Sequence, residues 1–334
     1  MHRGKVISEL DQKTNESLII SIIVIVLKLI YSLIIYMKNH FLISYAGNKR
    51  EEVLRLYDTV KDQLDDIEYI IEPFCGTCAF SYYLSTIHPN KFKYIINDNN
   101  VHLTDLYTIM KDKEKMNELI DKLNELHKTI ITKEDYVLMK KGNALENWIY
   151  INKIYNIRPG MYPMDGNFKN FDFKKLLDSK IIDFMRNEDV TVRNEDALTI
   201  YKEYKNDDNA LLFIDPPYLS SCNEFYINAG VEIYKYISEN DIDLERSKIM
   251  LCLEKNFIIK LLFSNKHIIE YDKLYQTNKR STKHLIIIND SINDKCRTGK
   301  YDQLVKLGQL VDVLNDKKKK IETLIIDKFN KNRY

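Results

Sequence analysis

Residues 69–80 read YIIEPFCGTCAF, and this stretch decides the fold class. Its first part is an apolar run that ends at Pro73, which is typical of a short buried strand. Gly76 then permits a tight turn, and we predict a helix from residue 79 to about residue 86. A strand that passes through a glycine turn into a helix is the opening unit of an α/β sheet.

The same alternation of strand and helix continues along the chain. Apolar residues at helical spacing predict helices over residues 51–66 and 103–128. Short apolar runs predict further strands, at residues 93–98, 211–215, 257–264 and 283–290. Strands that alternate with helices imply an open, mostly parallel sheet, which binds its ligand at the carboxyl ends of its strands.

The composition is that of a globular protein with one large domain, or with one domain plus a subdomain. The chain has 334 residues, of which 45% are hydrophobic and 30% charged, and this excludes a disordered chain. Its 50 Lys and Arg residues nearly balance its 49 Asp and Glu residues, for a net charge of +1. A strongly basic nucleic-acid-binding protein is therefore excluded, and any such binding needs a local basic patch.

The N-terminus carries an apolar segment that the α/β pattern does not use. Residues 18–36 read LIISIIVIVLKLIYSLIIY, which is long enough for a transmembrane helix or signal anchor. A second interpretation is that Met37 is the native start, because AT-rich upstream DNA readily encodes Ile, Leu and Tyr. A third is a buried helix. We therefore expect residues 1–36 to be an N-terminal extension and residues 37–334 to form the main domain.

The five cysteines do not predict a metal site. Cys75 and Cys78 have the spacing of half a zinc site, but no second ligand pair stands at a suitable distance along the chain. We therefore expect no metal, and free thiols in a reducing compartment.

Two features predict where a nucleotide-like ligand would bind. Gly76 would let a ligand approach the backbone closely at the start of the first helix. Asp98 ends the next predicted strand about 20 residues later, where a carboxylate can accept hydrogen bonds from both hydroxyls of a ribose. The alternative for Asp98 is the N-cap of the helix that follows Asn100.

The stretch LLFIDPPYLSS at residues 211–221 predicts the reactive part of the site. Asp215 leaves a buried strand, and Pro216 and Pro217 hold the following backbone rigid. The carboxylate and the Pro216 carbonyl are two acceptors that can bind both hydrogens of an exocyclic amine, and Tyr218 offers a flat face for a base. The alternative is a plain turn that ends the strand and exposes a tyrosine.

Five stretches occur in the order found in DNA adenine methylases of the Dam type, which this chain resembles. They are YAGNKR (45–50), EPFCGTC (72–78), NDNN (97–100), DPPY (215–218) and NKRSTKHLIII (278–288). The resemblance implies an S-adenosylmethionine-dependent N6-adenine methyltransferase of the alpha arrangement. It also implies an α/β, Rossmann-like class I methyltransferase sheet, with helices on both faces and a target-recognition insertion at about residues 105–190.

The resemblance assigns roles to individual residues. The residues that it places around S-adenosylmethionine are Tyr45, Lys49, Glu72, Phe74, Gly76, Asp98 and Asp196. The catalytic residues are Asp215, Pro216 and Tyr218. The stretch 149–168 resembles the hairpin that reads the target, with Asn152, Lys153 and Arg158 as DNA contacts. The resemblance also implies double-stranded DNA as the partner. It implies DNA methylation of the kind found in restriction–modification systems.

The chain departs from the family pattern in three ways. Cys78 stands where the family has glycine or alanine, the target-reading hairpin is shorter than in Dam, and basic and acidic side chains balance from Met37 onward. A catalytically silent homologue that binds nucleic acid or acts in assembly is therefore a second interpretation. A third is methylation of RNA or of N4 of cytosine. A serine in place of Asp215 would have favoured cytosine, so the aspartate favours adenine. We expect a monomer or weak dimer in the cytoplasm, or in the host cytoplasm or nucleus if the source is a virus, with membrane contact if residues 18–36 form an anchor.

Overall fold

Among the described residues, seven strands form one sheet. The computed structural model describes residues 42–43, 47–129, 133–142, 144–155, 172–218, 231–275, 280–289 and 292. The strands are β1 (Tyr69–Glu72), β2 (Lys93–Asn97), β3 (Val190–Arg193), β4 (Ala210–Ile214), β5 (Lys248–Glu254), β6 (His267–Tyr275) and β7 (Arg280–Ile288). Their order across the sheet is β3-β2-β1-β4-β5-β7-β6.

Five neighbouring strands are parallel, and the sheet ends in an antiparallel pairing. Strands β3, β2, β1, β4 and β5 pair in parallel, whereas β7 lies antiparallel between β5 and β6. Ile71 in β1 stands opposite Ile95 in β2 and Leu212 in β4. The carboxyl ends of these three strands therefore meet at one edge of the sheet, and the predicted open, mostly parallel sheet is confirmed.

Helices connect the strands. They are α1 (Val53–Val60), α2 (Ala79–Ile87), α3 (Val101–Lys111), α4 (Lys113–Lys128), α5 (Lys133–Lys141), α6 (Leu145–Tyr150), α7 (Lys180–Met185), α8 (Ala197–Tyr204), α9 (Val231–Glu239) and α10 (Phe257–Leu262). Short 3-10 turns span Lys61–Asp66, Phe173–Asp178 and Ile242–Leu244, and a π-helical turn spans Ile151–Tyr155.

The helices cover both faces of the sheet. Leu212 in β4 belongs to a buried cluster that also contains Ile200 of α8 and Ile233 of α9. The next residue along the strand, Phe213, points to the opposite face, because successive side chains alternate across a strand. There it packs against Phe80 of α2, with ring centroids 4.8 Å apart. The predicted Rossmann-like sheet with helices on both faces is therefore confirmed.

One predicted strand is wrong. The apolar run at residues 257–264 forms the helix α10, because the Asn256 side chain accepts a hydrogen bond from the Ile259 N–H at 2.8 Å and caps a helical turn. Short apolar runs do not distinguish strand from helix by periodicity alone. The strand next to β4 is instead β5, which was not predicted, and neither were β3 and β6.

The predicted helix over residues 103–128 is two helices. Asp112 has extended backbone geometry and ends α3, and its carboxylate accepts hydrogen bonds from the N–H groups of Glu114 and Lys115 at the start of α4. The described helices between α3 and α7 fall within the proposed target-recognition insertion, whose limits stay a prediction. Residues 18–36 lie outside the described residues, and within the described part of the chain no helix is long and apolar enough to cross a membrane.

Candidate functional site

The site residues lie beyond the carboxyl ends of the neighbouring strands β1, β2 and β4. Glu72 is the last residue of β1, Asp98 follows β2, and Asp215 follows β4. Because these strands are parallel and adjacent, their following loops occupy one edge of the sheet. The position agrees with the rule that open α/β sheets bind ligands outside the carboxyl ends of their strands.

The loop between β1 and α2 is held in shape by backbone geometry. Gly76 has φ 48° and Cys78 has φ 56°, both in the left-handed region that favours glycine. The Cys75 N–H donates to the Asn97 carbonyl at 2.8 Å, and this bond joins the loop to the end of β2. The conformation at Cys78 explains why a small residue is favoured there, and the cysteine adopts it with its side chain fully buried.

Asp98 is fixed against this loop by backbone donors. Its carboxylate accepts hydrogen bonds from the Gly76 N–H at 3.0 Å and from the Asn100 N–H at 2.9 Å. Burial raises the pKa of Asp98, and the backbone N–H donors oppose this shift. The helix-cap alternative for Asp98 is wrong, because the Asn100 side chain caps α3 by accepting from the His102 N–H at 3.1 Å.

Glu72 is buried beneath the same loop. Only 1% of its surface is exposed, and its carboxylate accepts the Ser81 N–H at 2.8 Å. Ser81 lies in the first turn of α2, where the N–H groups have no partner within the helix. Burial raises the pKa of Glu72 to about 7, against the hydrogen bonds from Ser81. The carboxyl group therefore anchors the start of α2 to the end of β1.

Asp215 is held by charged and polar side chains. It forms an ion pair with Lys49, which is 3% exposed, and its other oxygen accepts the Tyr218 hydroxyl at 3.2 Å. Burial lowers the pKa of Lys49, but attraction to Asp215 and to other acidic groups nearby outweighs it, so the net pKa is raised. Lys49 also donates to the Gly47 carbonyl at 2.9 Å, and its ammonium lies 5.3 Å from the Tyr218 ring centre.

The backbone of the Asp215 turn is fixed from α9. The Tyr234 hydroxyl donates to the Pro217 carbonyl at 3.2 Å. Pro216 is buried and Pro217 is partly buried. The turn is therefore held rigid by two proline rings and one side-chain hydrogen bond. Tyr234 had no predicted role, because nothing in its local sequence indicates a contact 17 residues away.

Sequence reasoning also missed a group of buried polar side chains behind Tyr218. His284 in β7 is fully buried, and its Nδ1 lies 3.4 Å from the Tyr218 hydroxyl oxygen. It stands opposite Tyr271 of β6, whose hydroxyl lies 3.3 Å from the Cys252 sulfur. A lone histidine before the apolar run 285–288 was the available signal, since a buried imidazole needs hydrogen-bond partners.

A second ion pair holds α1 against the antiparallel end of the sheet. Glu52, just before α1, pairs with Lys273 of β6, and both residues are buried. One turn later the Arg55 guanidinium lies 4.7 Å from the Tyr271 ring centre. These contacts fix the segment that immediately follows Lys49.

Two of the three predicted DNA contacts lie on a π-helical turn. Asn152 and Lys153 belong to the turn Ile151–Tyr155 that continues α6, and such turns are frequent at functional sites. Burial and the neighbouring positive charge of Arg50 lower the pKa of Lys153 to about 8. Lys153 therefore lies near Arg50, which directly follows Lys49. Arg158 lies outside the described residues.

Phe74 and Asp196 follow the strands β1 and β3. Phe74 is partly buried and packs on the core cluster below the loop. Asp196 is exposed and caps α8, accepting the Leu198 N–H at 2.9 Å. Its placement near the adenine ring of the cofactor stays a prediction. Tyr45 lies outside the described residues.

Cys75 and Cys78, which have the spacing of half a zinc site, are buried free thiols. Cys75 and Cys78 form no disulfide, and burial raises the pKa of both. Among the described residues, no group of three or more His, Cys, Asp or Glu side chains is arranged to hold a metal ion.

Comparison with known families finds a match over the first part of the described domain. Residues 45–163 match the D12 class N6 adenine-specific DNA methyltransferases. The match includes Lys49, Gly76 and Asp98 and ends before Asp215. The resemblance to Dam-type methylases and the prediction of an enzyme of the DNA adenine-N6 methyltransferase class are confirmed. The family implies a cofactor of the S-adenosylmethionine type and a DNA substrate.

Solved structures with similar backbones include other methyltransferases. A precorrin-6y C5,15-methyltransferase from Geobacter metallireducens has 10% identity and a TM-score of 0.34, over 74% of this chain and 91% of that one. A human methyltransferase 10 domain containing protein has 11% identity and a TM-score of 0.33, over 70% and 80%. An rRNA methylase from Streptococcus thermophilus has 8% identity and a TM-score of 0.31, over 71% and 97%. No curated protein sequence matches the chain.

Proposed function

We propose that the protein transfers a methyl group from S-adenosylmethionine to N6 of an adenine that is flipped out of double-stranded DNA. The observation that carries the proposal is the position of Asp215. Its carboxylate sits between Lys49 and Tyr218 at the end of β4, beside the loop of β1 that Asp98 holds. An acceptor for the amine and a loop for the cofactor therefore share one edge of the sheet.

The side chains at this edge fit the hydrogen-bond donors and the positive charges of S-adenosylmethionine. The cofactor carries ribose hydroxyls, an ammonium group and a sulfonium cation, and the edge offers the carboxyl groups of Glu72 and Asp98. We assign Asp98 and Gly76 to the ribose side, and Glu72 and Phe74 to the methionine side. Tyr45 and Lys49 would border the cofactor, and Asp196 would lie near its adenine ring. When bound, the cofactor supplies a methyl group on a leaving group that needs no acid.

The residues of the Asp215 turn would bind and orient the amine. The Asp215 carboxylate and the Pro216 carbonyl accept its two hydrogens, which turns the nitrogen lone pair away from the base ring. Tyr218 stacks on the base and fixes its position, and positioning of this kind can supply much of the rate. Asp215 would also accept the proton that the amine loses on methylation.

The contacts of Asp215 imply that the amine replaces one of its hydrogen-bond partners. Its two oxygens accept from Lys49 and from the Tyr218 hydroxyl. An incoming amine would take the place of the Tyr218 hydroxyl, while Lys49 stays as the counter-ion. The buried Lys49 therefore keeps a positive charge next to Asp215 throughout the reaction.

The DNA would approach from the side of the π-helical turn. Asn152 and Lys153 lie on this turn, and Arg50 adds positive charge close to Lys153. These residues would supply a local basic patch for phosphates, and Arg158 stays a further predicted DNA contact. A base must leave the stack to reach a cleft at the sheet edge, as in other enzymes that act on bases.

The test is methyl transfer by the full-length chain from labelled S-adenosylmethionine to duplex DNA of random sequence. Asp215→Ala should lower the rate about 10³-fold, because an acceptor at the reacting atom is lost, and leave cofactor affinity unchanged. Asp65→Ala is the matched control, since this carboxylate is 97% exposed. An unchanged rate in Asp215→Ala would refute the proposed role.

Mapping the labelled product separates the other interpretations. N6-methyladenine in DNA is the expected product. Label in RNA, or at N4 of cytosine, would overturn the proposed substrate while keeping the same chemistry. Cofactor binding without transfer to any nucleic acid would favour a catalytically silent homologue.

A further inference from the structure

We propose that His284 is a positioning residue, which donates an Nδ1–H hydrogen bond to the Tyr218 hydroxyl oxygen and thereby directs the hydroxyl proton onto Asp215. This inference rests on the proposed function, because it concerns how Tyr218 is held before the amine enters. His284 does not touch the substrate in this scheme and acts only through Tyr218.

The geometry around His284 supports this role. Its Nδ1 lies 3.4 Å from the Tyr218 oxygen, and the two rings meet edge to face at 79° with centroids 5.2 Å apart. The Tyr271 ring lies on another side, 5.6 Å away. His284 lies on the strand β7 and is fully buried, so the surrounding side chains hold its ring in place. Tyr218 is therefore braced by a rigid neighbour.

Counting protons assigns the direction of the hydrogen bonds. A tyrosine hydroxyl has one proton, and a carboxylate can only accept. The proton of Tyr218 therefore goes to Asp215, at 3.2 Å. The Tyr218 oxygen must then accept from His284, and Nδ1 must carry the imidazole proton.

The charge state of His284 agrees with this assignment. Burial, together with the positive charges of Lys273 and Lys49, lowers the pKa of His284 to about 3. The imidazole is therefore neutral at physiological pH and carries one N–H. Protonation of the ring is disfavoured by the same two cations that flank Asp215 and Glu52.

The bond from His284 would hold the Tyr218 ring when the amine replaces the Tyr218 hydroxyl at Asp215. When the amine takes the oxygen that accepts Tyr218, the tyrosine hydroxyl loses one partner. Its oxygen keeps the bond from His284, so the ring stays in place to stack on the base. Without His284 the ring would lose this hydrogen bond at the step where it stacks on the base, which predicts an effect on kcat more than on cofactor binding.

Two matched variants test the role of Nδ1. His284→Asn places an amide N–H close to the position of Nδ1, whereas His284→Gln places it near Nε2. We expect His284→Asn to keep kcat, and His284→Gln to lower it about fivefold to tenfold, the effect of one hydrogen bond. Equal losses in both variants, with equal losses of stability, would show a packing role and overturn the proposal.

A double-variant cycle tests whether His284 acts through Tyr218. In Tyr218→Phe the hydroxyl is absent, so adding His284→Gln should cause no further loss of kcat. Additive losses would contradict the inference.

The tautomer of His284 gives a readout that does not depend on activity. Nitrogen NMR of the histidine-labelled full chain should show the proton on Nδ1, and Tyr218→Phe should shift the Nδ1 signal. A proton on Nε2 with a bare Nδ1 would overturn the inference. This measurement stays decisive even if Asp215→Ala retains methyl transfer and the proposed function fails.

Discussion

The two carboxylate sites at the edge of the sheet are held in opposite ways. Asp98 accepts only backbone N–H groups among its described contacts, and Glu72 likewise accepts the Ser81 N–H. Asp215 is held by side chains, namely the Lys49 ammonium and the Tyr218 hydroxyl. One site is therefore set by the course of the main chain and the other by residues that mutation can remove singly.

This difference matches the work that we propose for each site. A cofactor-binding loop must keep one shape through every turnover, and backbone donors fixed by strand and helix ends supply that. A carboxylate that exchanges a hydroxyl for an amine needs partners that can move, and side chains supply those. Variants of the side chains around Asp215 should therefore affect the reaction, and also stability where they leave a buried charge unpaired, whereas variants around β1 should act mainly through folding.

The largest effect on stability is expected for Lys49→Met. This change removes the ammonium and leaves the Asp215 carboxylate without its counter-ion, which should lower the free energy of unfolding by about 3 kcal/mol. Methyl transfer should fall as well. Denaturant unfolding measures the first effect and the labelled-cofactor assay measures the second.

Two controls sharpen this prediction. Asp215→Asn added to Lys49→Met should restore most of the stability, because no buried charge is then unpaired. Lys61→Met removes a solvent-accessible pair with Asp58 and should cost less than about 1 kcal/mol. Similar losses in Lys49→Met and Lys61→Met would contradict a special role for the buried pair.

Glu72 should make stability fall as pH rises. Its pKa is about 7 in the folded protein against an ordinary value of 4.5, so the folded state binds more protons between these two values. Its contribution is fully present below pH 4.5 and is lost as pH rises, with a slope of up to about 1.4 kcal/mol per pH unit, until it levels off above pH 7.

The comparison with Glu72→Gln isolates this contribution. The free energy of unfolding of the wild type minus that of Glu72→Gln should decrease between pH 5 and pH 7 and then stay constant. A difference that does not change with pH would show that the Glu72 carboxyl has an ordinary pKa in the folded state.

The smallest effect is expected at Asp196, where two roles can be separated. Asp196→Ala should destabilise the protein by about 1 kcal/mol, because α8 loses its N-cap, whereas Asp196→Asn keeps the cap. If the carboxylate also contacts the cofactor, both variants should weaken cofactor binding in calorimetry. Normal cofactor affinity in both would limit Asp196 to capping.

The sequence predicted those parts of the fold that local patterns determine. The strand at residues 93–98 and the one at 211–215 correspond to β2 and β4 to within one residue at each end. The predicted strand at residues 257–264 was wrong because the capping side chain of Asn256, and not the apolar composition of the run, decides its structure. Helix α4 was predicted as part of a longer helix, since the cap at Asp112 leaves no break in the apolar spacing.

The candidate site was predictable in its carboxylates and not in their partners. Asp98 and Asp215 follow buried strands and are visible as motifs. Lys49 is 166 residues from Asp215 along the chain, and His284 is 66 residues from Tyr218. Contacts of this kind depend on the order of strands across the sheet, which a single sequence does not specify.

The separation between Lys49 and Asp215 also has a consequence for how the protein is made. Closing a loop of 166 residues is entropically costly, so this contact forms only after the strands between them have paired. A ribosome releases Lys49 long before Asp215, and until then the lysine has no carboxylate from β4 to meet. The ion pair can therefore form only in a chain that has been synthesised past β4, because a shorter nascent chain lacks the Asp215 turn altogether.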